Sequence, residues 1–322
     1  MTRLTVERYT GVDAFLATAG SFLAAREAEH NLIFGICSNL RTAPEAFVMP
    51  PLLATVKRGP TVVLVVVMTP PWNLVFSEVD DPGALPVLAE HLQGLELPGV
   101  IGPSGHATAF AELWSKRTGL RPRLAMRERI FRLTTARKPP HPAQGSMRAA
   151  TVGDGDLLAR WLGDFSREAL DDLDPTDPVE AADRWIAGRG RTMYLWENRE
   201  IVSLCGAGGE TPNGIRIGPV YTPPRFRGRG YAGSCVGAAS ALQLDAGRRF
   251  CFLFTDITNP TSNHIYQEIG YEPIRDVEEF RFDRAQGADQ RARVRAGGTS
   301  LKAACKPNTR PASDRRGGDR RT

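Results

Sequence analysis

Residues 223 to 234 read PPRFRGRGYAGS. Arginine and glycine recur here at spacings that could hold a phosphate. Glycine lets a backbone approach an anion closely. A guanidinium can grip phosphate through two parallel hydrogen bonds. Two registers overlap: residues 225–230 fit R-x-x-G-x-G, and residues 227–232 fit R-x-x-G-x-A. The same letters also fit a solvated basic turn or an RGG-type RNA-binding tract. Position separates these readings. The stretch lies between an apolar strand-like run, 215–221, and a segment with Ala232, Val236, Ala239 and Leu242 at helical spacing. A strand–glycine loop–helix unit aims free N–H groups and the positive end of a helix at one point. This position argues against an RGG tract, which sits in a disordered segment, and leaves an anion cradle and a basic turn open.

A second cluster follows, Asp256-Ile-Thr-Asn-Pro-Thr-Ser-Asn-His-Ile-Tyr-Gln-Glu-Ile-Gly-Tyr271. Asn259-Pro260 breaks the chain after an apolar strand over 250–255. Thr261 or Ser262 is expected to cap the next helix. Asn263 and Tyr266 stand three apart and share a helix face. Tyr266 brings a phenol with an ordinary pKa of about 10. Alone, Tyr266 reads as a packing tyrosine and Asn259 as a turn residue.

Together, R-x-x-G-x-A and the downstream N-x-x-x-N-x-x-Y-x-x-x-G-Y resemble the GCN5-related N-acetyltransferase (GNAT) superfamily, over about 147–284 in element order. The resemblance carries specific expectations. The strand ending Val220-Tyr221-Thr222 splays from 250–255 and hydrogen-bonds the pantetheine arm of acetyl-CoA. Arg227, Gly228, Arg229, Gly230, Tyr231, Ala232 and Gly233 hold the pyrophosphate, mainly through backbone N–H groups. Asn259 and Asn263 lie along the cofactor arm. Tyr266 stands near the thioester sulfur and protonates the leaving thiolate. The family pattern places a proline three residues before its arginine, as Pro224 stands before Arg227, so the 227–232 register is preferred and Arg225 is an additional base. The implied reaction is direct acetyl transfer to an amine. A small molecule, an amino acid, a peptide N-terminus and a protein lysine all remain open as acceptor. A base must take the amine's proton; Asp256 is one candidate, and Glu210 another that reads first as a surface turn residue. A non-catalytic acyl-CoA sensor would keep the cradle without the transfer.

The elements that must position these residues can be read from periodicity. The C-terminal half runs β-α-α-β-β-β-α-β-α-β. Its first helix carries Leu157, Leu158, Trp161, Leu162 and Phe165 on one face, with Asp154 or Asp156 as cap. The N-terminal half follows a similar order, from a strand at 4–9 to one at 126–133. Its closing Arg129-Ile-Phe-Arg-Leu133 echoes Glu279-Phe-Arg-Phe282. The pattern predicts a diverged tandem repeat: an α/β (α+β) chain of two GNAT-like domains, each a mixed, mostly antiparallel sheet flanked by helices. Expected boundaries are 1–135 for a degenerate domain, 136–146 for a Pro/Gly-rich linker, 147–284 for the catalytic domain and 285–322 for a disordered basic tail. In the first domain, the loop matching the glycine turn carries Glu78, Asp80 and Asp81. Three carboxylates would repel a pyrophosphate, so this half is expected to bind no CoA and to shape the acceptor site instead.

Composition bounds the rest. The chain has 322 residues, 42% hydrophobic and 24% charged, as in soluble globular proteins. The net charge of +5 misleads, since residues 285–322 hold ten Lys/Arg against Asp289, Asp314 and Asp319, leaving the first 284 residues at −2. That weakens a nucleic-acid reading of the body. No long apolar run suits a membrane span, and the start does not read as a signal peptide. Cys37, Cys205, Cys235, Cys251 and Cys305 are few and scattered, as for free thiols in a cytoplasmic protein. The five histidines show no metal-ligand spacing.

Overall fold

The computed structural model describes residues 3–169 and 176–283. The tail 285–322 and Cys305 lie outside them. The N-terminal half comprises β1 (Leu4–Tyr9), α1 (Val12–Ala24), α2 (Asn31–Thr42), β2 (Leu52–Arg58), β3 (Thr61–Met68), β4 (Leu74–Phe76), α3 (Ala84–His91), β5 (Gly99–Pro103), α4 (His106–Thr118) and β6 (Arg121–Leu133). The C-terminal half comprises β7 (Ser146–Ala149), α5 (Gly155–Ala169), α6 (Pro178–Ile186), β8 (Thr192–Asn198), β9 (Glu200–Glu210), β10 (Gly214–Tyr221), α7 (Tyr231–Asp245), β11 (Phe250–Asp256), α8 (Pro260–Ile269) and β12 (Glu272–Asp283). The expected class and repeat order are present. None of these helices is long and apolar enough to cross a membrane.

Local sequence explains most elements. The β-branched run of β3, TVVLVVVM, suits a strand covered on both faces, and its last six residues are buried. Ahead of α5, Thr151 and Asp154 form a reciprocal capping box, with Arg148 paired to Asp154 at 2.8 Å. Asp154, not Asp156, is thus the capping partner.

The strands form one twelve-stranded sheet, ordered β1-β2-β3-β4-β5-β12-β6-β11-β10-β9-β8-β7. The last strand of each half stands beside the other half's strands: β12 pairs with β5, and β6 pairs with β11. β6 and β12 also pair with each other, antiparallel, around Glu128↔Val277. Arg129–Asp276 at 2.6 Å and Arg127–Glu278 at 3.4 Å flank that pair on either side. The repeat seen in sequence is therefore an approximate two-fold in space, centred on these two strands.

Alternation along the strands sorts the helices. Leu64 and Val66 pack with α3 and α4, whereas Val65, Val67 and Val75 pack with α1 and α2. Phe131, Leu133, Ile215 and Leu253 pack with α7 and α8. Met193, Leu195 and Tyr221 pack with α5 and α6. α2 also reaches the C-terminal half, where Gly35 lies against Gly209; a Cβ on Gly35 would stand 3.2 Å from the Gly209 Cα. The four described cysteines are free and buried.

His30 ties this face together. Its Nε2 accepts the Glu78 N–H at 3.0 Å, so Nδ1 carries the proton and donates to the Leu23 carbonyl at 3.0 Å. Burial lowers its pKa to about 4. The unfolded chain takes up that proton near pH 6.5, the folded chain only near 4. This contribution is intact above pH 6.5 and is lost progressively as pH falls toward 4, by up to about 3 kcal/mol. Urea unfolding at pH 7, 5.5 and 4 should follow this slope, and His30→Gln should flatten it.

Candidate functional site

The site begins where two parallel strands separate. β10 and β11 pair only from Gly214↔Phe250 to Arg216↔Phe252. Beyond that, β10 is held on its other side alone, with Val220↔Cys205 and Tyr221↔Leu204 on β9. A register shift separates Ile217 from Val220. The edge of β10 facing β11 is left without ladder partners over 218–221. Val220 and Thr222 are only partly buried and line this opening. Ser203, buried behind it, donates to the Tyr221 carbonyl at 3.1 Å and meets the Thr222 hydroxyl at 2.8 Å.

The glycine turn closes one end of the opening. Gly228 and Gly230 have φ of 73° and 75°, a left-handed geometry that penalises a Cβ. Gly230 precedes α7 and accepts its first hydrogen bond, from the Ser234 N–H. The N–H groups of Gly230, Tyr231, Ala232 and Gly233 meet no acceptor among the described residues. Four aligned donors and the helix dipole thus point outward. Arg227 acts locally: its Nε donates to the Thr222 carbonyl at 2.9 Å, and its Nη2 pairs with Glu168. Arg229 is exposed and makes no ion pair among the described residues. Arg225 lies 4.6 Å over the Phe226 ring and near Glu200, outside the donor cluster. The Tyr231 hydroxyl accepts from Asn198 at 2.9 Å, which anchors the turn to β8. The 136–146 segment braces it as well, with the Ala143 N–H donating to Ser234 Oγ at 2.8 Å.

The β11–α8 junction closes the other end. Asn259 is itself the cap of α8, its Oδ1 accepting the Ser262 N–H at 3.1 Å. This corrects the expectation that Thr261 or Ser262 caps the helix; Pro260 occupies the first helical position, so the cap falls one residue before it. Asn263 Nδ2 ties the loop down through the carbonyls of Asp256, Ile257 and Asn259, at 2.9–3.3 Å. Its Oδ1 is buried and has no partner among the described residues. Tyr266 stands in the α7/α8 core. The other five tyrosine hydroxyls are engaged, on Thr55, Gln243, Glu168, Asn198 and Ser240. The Tyr266 hydroxyl has no partner among the described residues, yet it is not sealed from solvent. Burial raises its pKa well above the usual phenol value.

On the opposite sheet face, three residues that sequence reasoning did not single out approach the opening. Glu168 receives both the Tyr221 hydroxyl, at 2.9 Å, and Arg227. Arg216 and Glu128, from β10 and β6, are closely surrounded by protein but keep part of their surface accessible. No motif marks Glu128, because it comes from the other half's sequence. Asp256 accepts the Thr258 N–H and hydroxyl at 2.7 and 2.8 Å, as a turn residue does. Glu210 is ion-paired to Arg248 at 2.6 Å, at the closed end of β10 and β11 and away from the opening.

The N-terminal half repeats the separation, with β4 and β5 paired only at Leu74↔Val100 and Val75↔Ile101. There the opening is filled. The Phe76 ring lies so close to Gly102 that a Cβ there would be 2.4 Å away. Glu78 enters the same gap and pairs with Arg275 at 2.5 Å. Asp80 and Asp81 pair with Arg26 and Arg58. Five local N–H groups are occupied too: those of Ser77, Asp80 and Ala84 by carbonyls, that of Glu78 by His30 and that of Gly83 by Asp81.

Residues 197–281 match the family model described as FR47-like protein. No curated protein matches the chain. Among solved structures, a Drosophila protein superposes with a TM-score of 0.64 at 16% identity, covering 87% of this chain and 98% of its own. A GCN5-related N-acetyltransferase from Sphaerobacter thermophilus gives 0.52 at 14% identity, covering 86% and 95%. A tandem GNAT protein from the clavulanic acid biosynthesis pathway, solved without acetyl-CoA, gives 0.51 at 12% identity, covering 86% and 98%.

Proposed function

We propose that this chain, whose fold is that of tandem GCN5-related N-acetyltransferases and whose C-terminal half is GNAT-like in sequence, transfers an acetyl group from acetyl-CoA to an amine. One observation carries the reading above all: the β10–β11 opening ends at four unpartnered helix-start N–H groups. In its N-terminal counterpart the gap is filled by Phe76 and Glu78, and the N–H groups of Gly83 and Ala84 at the start of α3 are already bonded. A pyrophosphate suits such a donor cluster, and each charge-assisted hydrogen bond contributes about 1.5–3 kcal/mol. The free β10 edge at 218–222 suits the amide-bearing pantetheine arm. Asn263, with an unpartnered Oδ1, and Asn259 lie along the same path. Acetyl-CoA supplies the activated acyl group as a thioester.

The chain's own residues then divide the work. Gly228, Arg229, Gly230, Tyr231, Ala232 and Gly233 hold the phosphates. Arg227 and Glu168 fix the Thr222 carbonyl and the Tyr221 ring, which sets the free edge of Val220, Tyr221 and Thr222. Tyr266 holds a proton for the leaving sulfur. Its free hydroxyl favours this catalytic reading over an acyl-CoA sensor, which would not need it. Burial keeps the phenol protonated, and the same dry core pushes the Cys251 thiol up to about 12. A sulfur leaving there gains from a proton donor already in place.

The test is thiol detection of released CoA, with the protein, acetyl-CoA and a panel of amines. CoA release with at least one amine is expected; tight acetyl-CoA binding with no release for any acceptor would support the sensor instead. Calorimetric titration should give one acetyl-CoA per chain. Two equivalent sites would contradict the closed state of the N-terminal half.

A further inference from the structure

The reaction needs a base, and the two sites considered from sequence do not fit it. Asp256 is held in a turn, and Glu210 is ion-paired at the far end of the strands. Glu128 remains. It lies on β6, which belongs to the N-terminal half but stands beside β11 in the C-terminal sheet. Its register partner on β11 is Asp256, at the open end of the β10–β11 gap. Phe131 and Leu133 of β6 enter the α7/α8 core, so Glu128, at the opposite parity, points to the face carrying Arg216 and covered by α2. Tyr266 approaches from the α7/α8 side. The two groups therefore address the gap from opposite faces of the sheet.

The state of the side chain is unusual. Glu128 makes no hydrogen bond or ion pair among the described residues, and its surface remains partly accessible. An unpaired, enclosed carboxylate is costly and calls for an account. Resting on the acetyl-transfer reading above, we propose that Glu128, delivered by the N-terminal half, is the general base that takes a proton from the acceptor ammonium. The electrostatic setting agrees. Burial first, then the charges of Glu279 and Asp256, raise its pKa to about 7, while Arg216 pulls it down. The charged groups facing it are Arg216 from β10, Asp256 from β11, and Arg275 and Glu279 from β12; Arg275 is itself neutralised by Glu78. A base near 7 suits proton transfer at neutral pH better than an ordinary glutamate.

The protons balance. The ammonium gives one proton to the Glu128 carboxylate, and that proton passes on to solvent. The freed nitrogen lone pair forms the C–N bond as the C–S bond breaks, its electron pair leaving with sulfur. Sulfur takes the Tyr266 proton, and the second proton lost by nitrogen restores the phenol through water. The products are an amide, a free thiol and one released proton.

The experiment compares Glu128→Gln with the parent chain. Thiol release is followed from pH 5.5 to 9, using the best amine of the panel. The parent should show a rising limb with an apparent pKa near 7, because the base must be ionised. Glu128→Gln should lose about 100-fold or more in kcat near pH 7 and lose that limb, recovering only as the free amine itself deprotonates. Its acetyl-CoA affinity should be unchanged, and its melting temperature at pH 8 should be equal or higher, since an enclosed charge is gone. Glu210→Gln is the control and should behave as the parent. An intact limb and rate in Glu128→Gln would overturn the proposal. So would a loss of rate in Glu128→Gln that follows a collapsed melting temperature while the rate that remains keeps the limb. If the parent itself neither binds acetyl-CoA nor releases thiol, the acetyl-transfer reading fails first, and this outcome is distinct from either.

Discussion

Replacing Tyr266 with phenylalanine should lower kcat about 100-fold or more, with acetyl-CoA affinity nearly unchanged. The size follows from the role. Without an acid the sulfur must leave as a thiolate beside a dry core, where the buried thiol of Cys251 is already pushed up to about 12. A proton delivered by a positioned side chain is worth roughly 10²–10⁴ in rate. Stability changes little, because the lost hydroxyl has no hydrogen-bond partner among the described residues. The comparison with Tyr271→Phe sharpens the test. The Tyr271 hydroxyl meets Ser240 at 2.8 Å inside the same core. Its removal should cost stability and leave kcat in place. Equal kcat for the parent and Tyr266→Phe, measured with saturating substrates, would remove Tyr266 as the acid.

Glutamate at Gly230 should abolish measurable acetyl-CoA binding. Two effects act together. The residue is left-handed, with φ of 75°, and a side chain there costs about 1–2 kcal/mol. A carboxylate is also placed beside the four outward N–H groups at the start of α7, where a phosphate would sit. Loss of two charge-assisted hydrogen bonds alone, at about 1.5–3 kcal/mol each, is worth roughly a hundredfold or more in Kd. Gly230→Ala separates the effects, since it brings the strain without the charge. Its Cβ would stand 3.2 Å from the His141 carbonyl, so it should weaken binding modestly while the fold holds. Calorimetry on both variants, with circular dichroism as the folding check, decides. Tight binding by a folded Gly230→Glu chain would remove the cradle.

The elements were legible because their signals are local. Continuous apolar runs marked β3 and β11, helical spacing marked α5 and α7, and the 223–234 turn was marked by its glycines. The acidic counterpart at Glu78, Asp80 and Asp81 was legible in charge. Its closure was not, because Phe76 filling the gap against Gly102 and Arg275 reaching Glu78 depend on long-range packing. Asn259 as the cap of α8 was missed through a choice among three equally suitable side chains.

By itself, the sequence determined the repeat, the order of elements, the glycine turn and the tyrosine helix, since each rests on residues a few positions apart. Only the tertiary structure decided which strands pair. β6 and β12 carry similar patterns, and backbone ladders do not read side-chain identity closely, so either strand could complete either sheet. The observed exchange puts Glu128 of one half opposite Asp256 of the other. It also leaves Tyr266 as the single tyrosine whose hydroxyl has no partner among the described residues, which depends on where five other partners lie in space.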